Sequence, residues 1–262
     1  MQGSWFRLCW FGIFLIVAAS CLAQPRVKVG ADILMSKELN LVKGKKVGLI
    51  TNHTGRLSSG QHLVDTLLAQ GISVVALFGP EHGVRGEAAA GEKVGDTIDA
   101  KTGIPVFSLY GKTRTPTSDM LRDVDVLVYD IQDVGARFYT YISTMGLCMK
   151  AAIESGIPFI VLDRPNPLGG LKVEGPILED SLKSFVGMYP IPLVYGLTCG
   201  ELAMMINGEG WLATSAKADL TVVRMEGWTR SMLWDDTGLS WIRPSPNIPT
   251  PVTALVYPGT CL

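Results

Sequence analysis

Short apolar runs recur along this chain, and each stops abruptly at a cluster of polar side chains. Val47-Gly-Leu-Ile50 leads into Thr51-Asn52-His53-Thr54, and Ile72-Ser-Val-Val-Ala-Leu-Phe78 into Gly79-Pro80-Glu81-His82. Ile104-Pro-Val-Phe-Ser-Leu-Tyr110 ends at Gly111, Val124-Asp-Val-Leu-Val-Tyr129 at Asp130, and Pro158-Phe-Ile-Val-Leu162 at Asp163-Arg164. Continuous apolar runs bounded by glycine and proline read as strands buried on both faces, the pattern of a parallel sheet. Helical segments lie between them. Leu63, Val64, Leu67 and Leu68 share one helical face, with Ser58 or Ser59 as the predicted cap and Gly71 as a left-handed stop. Thr117-Ser118-Asp119 opens a helix through Leu121, a longer one runs from about Tyr139 to Glu154 and stops at Gly156, and Thr198 with Glu201 forms a capping box. Ala218 to Arg224 adds a strand. Strand and helix alternate, which predicts an α/β fold: a doubly wound, mainly parallel sheet with helices on both faces and right-handed crossovers.

The polar clusters sit at strand ends and not at strand beginnings, and in open α/β sheets ligands bind outside the carboxyl ends of the strands. Glu81, His82 and Arg85, spaced by Gly83 and Gly86, supply an acid/base group, a proton partner and an anion clamp on a backbone free to turn tightly. A loop in which Glu81 and Arg85 merely pair is the plainer alternative. Asn52 and His53 end the preceding strand. Asp130, Arg137, Asp163 and Arg164 occupy corresponding places further on, and Pro165 and Pro167 hold Asn166 extended. The small-residue stretch from Ala88 to Asp96 is expected to loop over this edge. Tyr141, Met145, Cys148 and Met149 read as core packing, and the segment from Arg243 to Pro251 as a proline-fixed loop.

Composition narrows the function. Lys+Arg 23 against Asp+Glu 24 gives a net charge of -1, so nothing points to nucleic acid as a partner. No GxGxxG occurs, and Gly111-Lys112-Thr113 lacks the glycine that a phosphate loop needs where Val106 stands, so no nucleotide cofactor is expected. A metal-dependent hydrolase using His53, His82, Asp130 and Asp163 is an alternative without HxxH or HxH spacing to support it. No metal or other cofactor is expected. Cys148, Cys199 and Cys261 form no CxxC pair and read as buried free thiols more readily than as a disulfide. Residues 1–23 read as a signal peptide: Arg7, an apolar run from Leu8 to Ser20, then small residues before the cut. That run is short for a bilayer span, so no integral span is expected after cleavage. Cys21, after Ala18-Ala19-Ser20, is an alternative lipid-anchoring site. Export to the periplasm or the exterior follows, with residues 24–262 as the working domain.

The motifs taken together, Gly48-Leu-Ile-Thr-Asn-His-Thr-Gly55, Phe78-Gly-Pro-Glu-His-Gly-Val-Arg-Gly86, Tyr129-Asp-Ile-Gln-Asp-Val-Gly-Ala-Arg137, Leu162-Asp-Arg-Pro-Asn-Pro-Leu-Gly-Gly170 and Pro244-Ser-Pro-Asn-Ile-Pro249, resemble the N-terminal part of the NamZ-type exo-β-N-acetylmuramidases. The resemblance implies a Rossmann-like domain of a secreted or periplasmic glycosidase that removes terminal N-acetylmuramic acid from peptidoglycan fragments, with Glu81 as the catalytic acid. It also implies a smaller C-terminal domain beyond Pro258-Gly-Thr-Cys261, expected to be absent from this chain. An exposed apolar surface that includes Val252 to Leu262 is then expected where that domain would dock. The chemistry fits: glycoside hydrolysis needs a protonated carboxyl group at the leaving oxygen. His82 or His53 is a proton relay in this reading. Asp130 or Asp163 is either the second carboxylate or only a loop-fixing acceptor. Arg85, Arg137 and Arg164 are candidates for the lactyl carboxylate of muramic acid, with Asn52, His53 and Asn166 beside them. A non-catalytic, sugar-binding lipoprotein is the remaining alternative.

Overall fold

The structure is a computed structural model that describes residues 27–86 and 95–261. The expected signal segment, Cys21 and most of the loop from Ala88 to Asp96 lie outside the described residues.

A single sheet organises the chain. Its strands are β1 (Lys46–Thr51), β2 (Ser73–Gly79), β3 (Thr97–Ile98), β4 (Pro105–Ser108), β5 (Val126–Asp130), β6 (Phe159–Leu162) and β7 (Leu220–Val223), in the order β3-β4-β2-β1-β5-β6-β7. All pairings are parallel except β3 with β4, where two exposed residues form an antiparallel edge that carries no apolar run for a sequence reading to find. The order reverses between β1 and β5, so the doubly wound expectation holds.

Side-chain alternation sorts the two layers. Val47, Leu49, Val126 and Val128 pack beneath α1 (Gly30–Ser36) and α2 (Leu63–Ala69) in one apolar core. Ile50, Phe78, Leu127 and Tyr129 point the other way, into a second core with α4 (Tyr141–Ser155), α5 (Cys199–Gly208) and α6 (Pro251–Thr260), while α3 (Ser118–Leu121) is one turn on that same face. Helix α4 ends at Gly156, φ 65°, as its sequence predicts, although it begins at Tyr141 and not Tyr139. Helix α5 carries the capping box of Thr198 and Glu201.

One local expectation fails for an identifiable reason, and two further helices were not read in the sequence. Helix α2 is capped by His62, whose ring accepts from the Val64 N–H, because Ser58 is already spent on the Asp32 carboxylate. The segment before β1 contains α1, whose Gly30 lies so close to β6 and β7 that an added Cβ would fall 2.4 Å from the Asp163 nitrogen. The loop read from Arg243 to Pro251 is present and ends where a helix begins at Pro251, which occupies the first turn where a missing N–H costs nothing. Val252, Leu255 and Val256 of α6 are exposed, the apolar surface expected there. Cys148 and Cys199 are buried free thiols, whereas Cys261 is exposed. Among the described residues no helix is long and apolar enough to cross a membrane.

Candidate active site

Register aligns the strand ends. Phe78, Ile50, Tyr129 and Val161 lie in one row across β2, β1, β5 and β6. The residues one to three positions later therefore emerge at one edge, with β2 and β6 about 14 Å apart at the usual strand spacing. Parity and packing divide that edge into two wings.

On the α4 side stands Glu81, partly exposed, just past β2. Tyrosines surround it. Burial and then the Glu81 charge raise the Tyr110 pKa, and the Glu81 charge also bears on Tyr141 and Tyr257. The Tyr141 hydroxyl donates to the Pro244 carbonyl at 2.8 Å, and Tyr139 packs edge-on against Tyr141 with ring centres 4.8 Å apart. Next to this group His53, His82 and Arg243 line a cleft of about 210 Å³. His82 is buried with φ 72°, a left-handed conformation uncommon for a residue with a side chain. His53 donates from Nε2 to the Arg243 carbonyl at 2.6 Å, which leaves Nδ1 as the neutral acceptor; that nitrogen is buried and has no hydrogen bond among the described residues. Burial holds the His53 pKa below its ordinary value, against the raising effect of that carbonyl. Gly86, φ 79°, closes on the ring: a Cβ there would fall 2.6 Å from His53 Cγ.

On the α1 side the carboxylates are already engaged. Asp130 has the parity of Val126 and Val128, so it turns away from Glu81's tyrosines. It is fully buried and accepts from Arg164 Nε at 2.7 Å. Burial raises its pKa and Arg164 opposes the shift. Asp163 accepts from Thr198 Oγ1 at 2.9 Å and from the Gly200 N–H at 2.8 Å, fixing the start of α5, and burial raises its pKa to about 6. Both hold loops in place, the plainer of their two expected roles, while the second oxygen of Asp130 is buried without a hydrogen bond among the described residues.

The expected anion clamps divide similarly. Arg85 is taken up by Asp99 at 2.8 Å and Asp65 at 3.2 Å, pinning the Glu81 loop to α2 and to the turn before β4, and its guanidinium lowers the Asp99 pKa to about 2. Arg137 braces the carbonyls of Pro176 and Ile191, while Asn166 ties Leu168 N–H to the Leu197 carbonyl. Arg164 bonds Asp130 and the Arg56 carbonyl. Asn52 accepts from Thr54 N–H and hydroxyl through Oδ1. Among the described residues no three His, Cys, Asp or Glu side chains gather as a metal site, so the four-residue metal alternative lacks its geometry.

Some groups escaped the sequence reading. Tyr110 follows β4 and the strand-end rule could have found it. Tyr257 comes from the last turns of α6, where no periodicity marks a ligand-facing residue, whereas Tyr141 is buried in the core as its sequence predicts. Asp133, buried with its pKa raised to about 6 by burial, accepts from Tyr195 and from the Gly135 N–H at 2.7 Å and sits beneath the same tyrosines.

A three-layer α/β unit whose acid and two imidazoles share the carboxyl edge of β1 and β2 defines a class of ligand-binding and hydrolytic domains. The family is now specific: residues 47–252 match the family described as exo-beta-N-acetylmuramidase NamZ, N-terminal, and the chain belongs to it. It is 56% identical over 240 residues to the peptidoglycan beta-N-acetylmuramidase NamZ of Bacillus subtilis (strain 168), covering 91% of this chain and 57% of that protein. Two crystal structures of DUF1343 family proteins from Bacteroides fragilis NCTC 9343 superpose with TM-scores of 0.83 and 0.79, at 52% and 41% identity. Each covers 90% of this chain, which spans 59% and 61% of their lengths.

Proposed function

We propose that this chain is the acid-bearing domain of an exo-acting β-N-acetylmuramidase that releases terminal N-acetylmuramic acid from peptidoglycan fragments, with Glu81 as general acid. The observation that carries the reading is the setting of Glu81: a partly exposed carboxyl at the mouth of a buried strand, ringed by tyrosines and beside two histidines, in a chain 56% identical to a named β-N-acetylmuramidase. A general acid must meet solvent-borne substrate while its neighbours are fixed, and this wing supplies both conditions. Neutral His53, fixed through Nε2, is the nearby group suited to accept or relay a proton through Nδ1. Asp130 and Asp163 are engaged elsewhere, so the second group of the reaction falls to a histidine-activated water or to the substrate's own acetamide. Export to the periplasm or the exterior belongs to the same proposal and rests on the N-terminal segment; fractionation of cells expressing the tagged chain tests it.

The test is hydrolysis of a chromogenic N-acetylmuramide, assayed with this chain and with the full-length Bacillus relative as reference. Glu81→Gln keeps shape and loses the proton, and the expected loss is about 10²–10⁴ in turnover at unchanged melting temperature. Retention of more than about a tenth of turnover would remove Glu81 from the role.

A further inference from the structure

The other wing holds a cavity that the proposed chemistry does not use. It encloses about 240 Å³ at the point where the strand order reverses between β1 and β5, on the α1 side of the sheet. That is smaller than the ~300–1,000 Å³ of drug-sized sites and suits a small molecule. Its polar walls are Arg56, Arg164, Gln132 and the hydroxyl-bearing Thr54, Ser58, Ser59 and Ser240, its apolar walls include Leu57, Leu239 and Trp234, and no carboxylate is among its lining residues.

The hydrogen-bonding capacity of these walls is only partly spent. Gln132 Nε2 donates to the carbonyls of Asp133 and Pro165, which fixes the amide orientation and leaves Oε1 buried without a hydrogen bond among the described residues. The Trp234 Nε1 donor is likewise buried and has no hydrogen bond among the described residues. Arg164, 4% exposed, uses Nε on Asp130 and Nη2 on the Arg56 carbonyl. Arg56 uses Nε on His53 O and Nη1 on Gly60 O. One terminal nitrogen of each guanidinium, Arg164 Nη1 and Arg56 Nη2, has no bond among the described residues. Ser59 and Ser240 add hydroxyls that can donate or accept, so the two guanidiniums supply the cavity's charged donors. Buried polar groups left unpaired are costly, so a ligand that meets both guanidiniums and the Gln132 oxygen would be held firmly.

We propose that this cavity binds a small organic carboxylate bearing a hydrogen-bond donor beside the carboxylate, as a 2-hydroxy acid does. The carboxylate spans Arg164 Nη1 and Arg56 Nη2, the neighbouring donor meets Gln132 Oε1, and the short carbon body rests on Leu239 and Trp234. Charge-assisted contacts of this kind are the strong ones. The site is separate from Glu81, although Ile242 forms a wall of both this cavity and the His53 cleft.

Calorimetric titration of the chain with lactate, inorganic phosphate and N-acetylglucosamine tests it. Saturable lactate binding is expected, at least tenfold tighter than that of either other probe, and at least tenfold weaker in Arg56→Met and in Leu239→Trp. The second variant fills the cavity without removing a hydrogen bond, so it decides the matter even if the first fails to fold. Absence of lactate binding, phosphate binding as tight as lactate, or unchanged lactate affinity in Leu239→Trp would each overturn the proposal.

Discussion

Glu81 leaves β2 and Asp130 ends β5, the two strands that flank β1, and yet the carboxyl groups have opposite fates. Asp130 falls on the parity of Val126 and Val128, is fully buried, and accepts from a guanidinium. Glu81 lies two residues beyond its strand, past Pro80, where strand parity no longer applies, and is partly exposed among tyrosines. Position at a sheet edge makes a polar residue available to a ligand; parity and the first partner it meets decide whether it is used for binding or for holding loops. Arg85 and Arg137 repeat the lesson: both guanidiniums are charged and near the edge, and both are committed to acceptors inside the protein.

The sharpest way to break the comparison is to neutralise one carboxylate in each wing. Glu81→Gln should remove about 10²–10⁴ of turnover and leave the denaturant midpoint alone. Asp130→Ala should do its damage through the fold, because it strands the buried Arg164 charge, a loss of about 3–5 kcal/mol. Chemical denaturation measures it. An Asp130→Ala protein of near wild-type stability would show that the pair is dispensable and that the two wings differ less than their geometry indicates.

Much of this division was hidden in the sequence. The strands, their order of appearance and the clustering of polar residues at their ends were legible, because parallel strands buried on both faces must be continuous apolar runs. Gly156 and the Thr198–Glu201 box were legible because caps are local. The fates of Asp130, Asp163 and Arg85 were not, since each depends on a partner supplied by a distant segment: Arg164 for Asp130, Thr198 and Gly200 for Asp163, Asp65 and Asp99 for Arg85. Helix α6 was masked by its own prolines, Pro251 and Pro258, which local propensity counts against a helix.

Asp133 offers a finer test, this time by pH. Its pKa is raised from 3.8 to about 6 by burial, so the folded state holds a proton that the unfolded state has released. Stability attributable to this group is therefore greatest below pH 4, falls as pH rises from about 4 to 6, and is flat above. At about 1.4 kcal/mol per pH unit the fall is about 3 kcal/mol at most. Asp133→Asn can keep its carbonyl oxygen on Tyr195 and Gly135 N–H, because the second oxygen of the acid has no partner. The variant should flatten the stability profile between pH 4 and 6, with Asp163 and Asp130, whose pKa values burial also raises, supplying what slope remains. A profile identical to wild type would mean that Asp133 is ionised as readily in the fold as outside it.

The smallest effect belongs to Glu201, a carboxylate at the same edge whose work is local. One oxygen accepts from the Thr198 N–H at 3.0 Å, completing the capping box of α5, and the other pairs with Arg230. That ion pair is partly exposed, and exposed pairs contribute only about 0–1 kcal/mol. The cap itself is worth about 1 kcal/mol. Glu201→Gln retains an acceptor for the Thr198 N–H and gives up the charge on Arg230, so its midpoint should barely move, whereas Glu201→Ala should lose about 1 kcal/mol. Neither should alter hydrolysis of the muramide, because Glu201 acts on α5 and not on the Glu81 wing. A drop in turnover as large as that of Glu81→Gln, at preserved stability, would carry the chemistry to the β6 side of the sheet and reverse the assignment of the two wings.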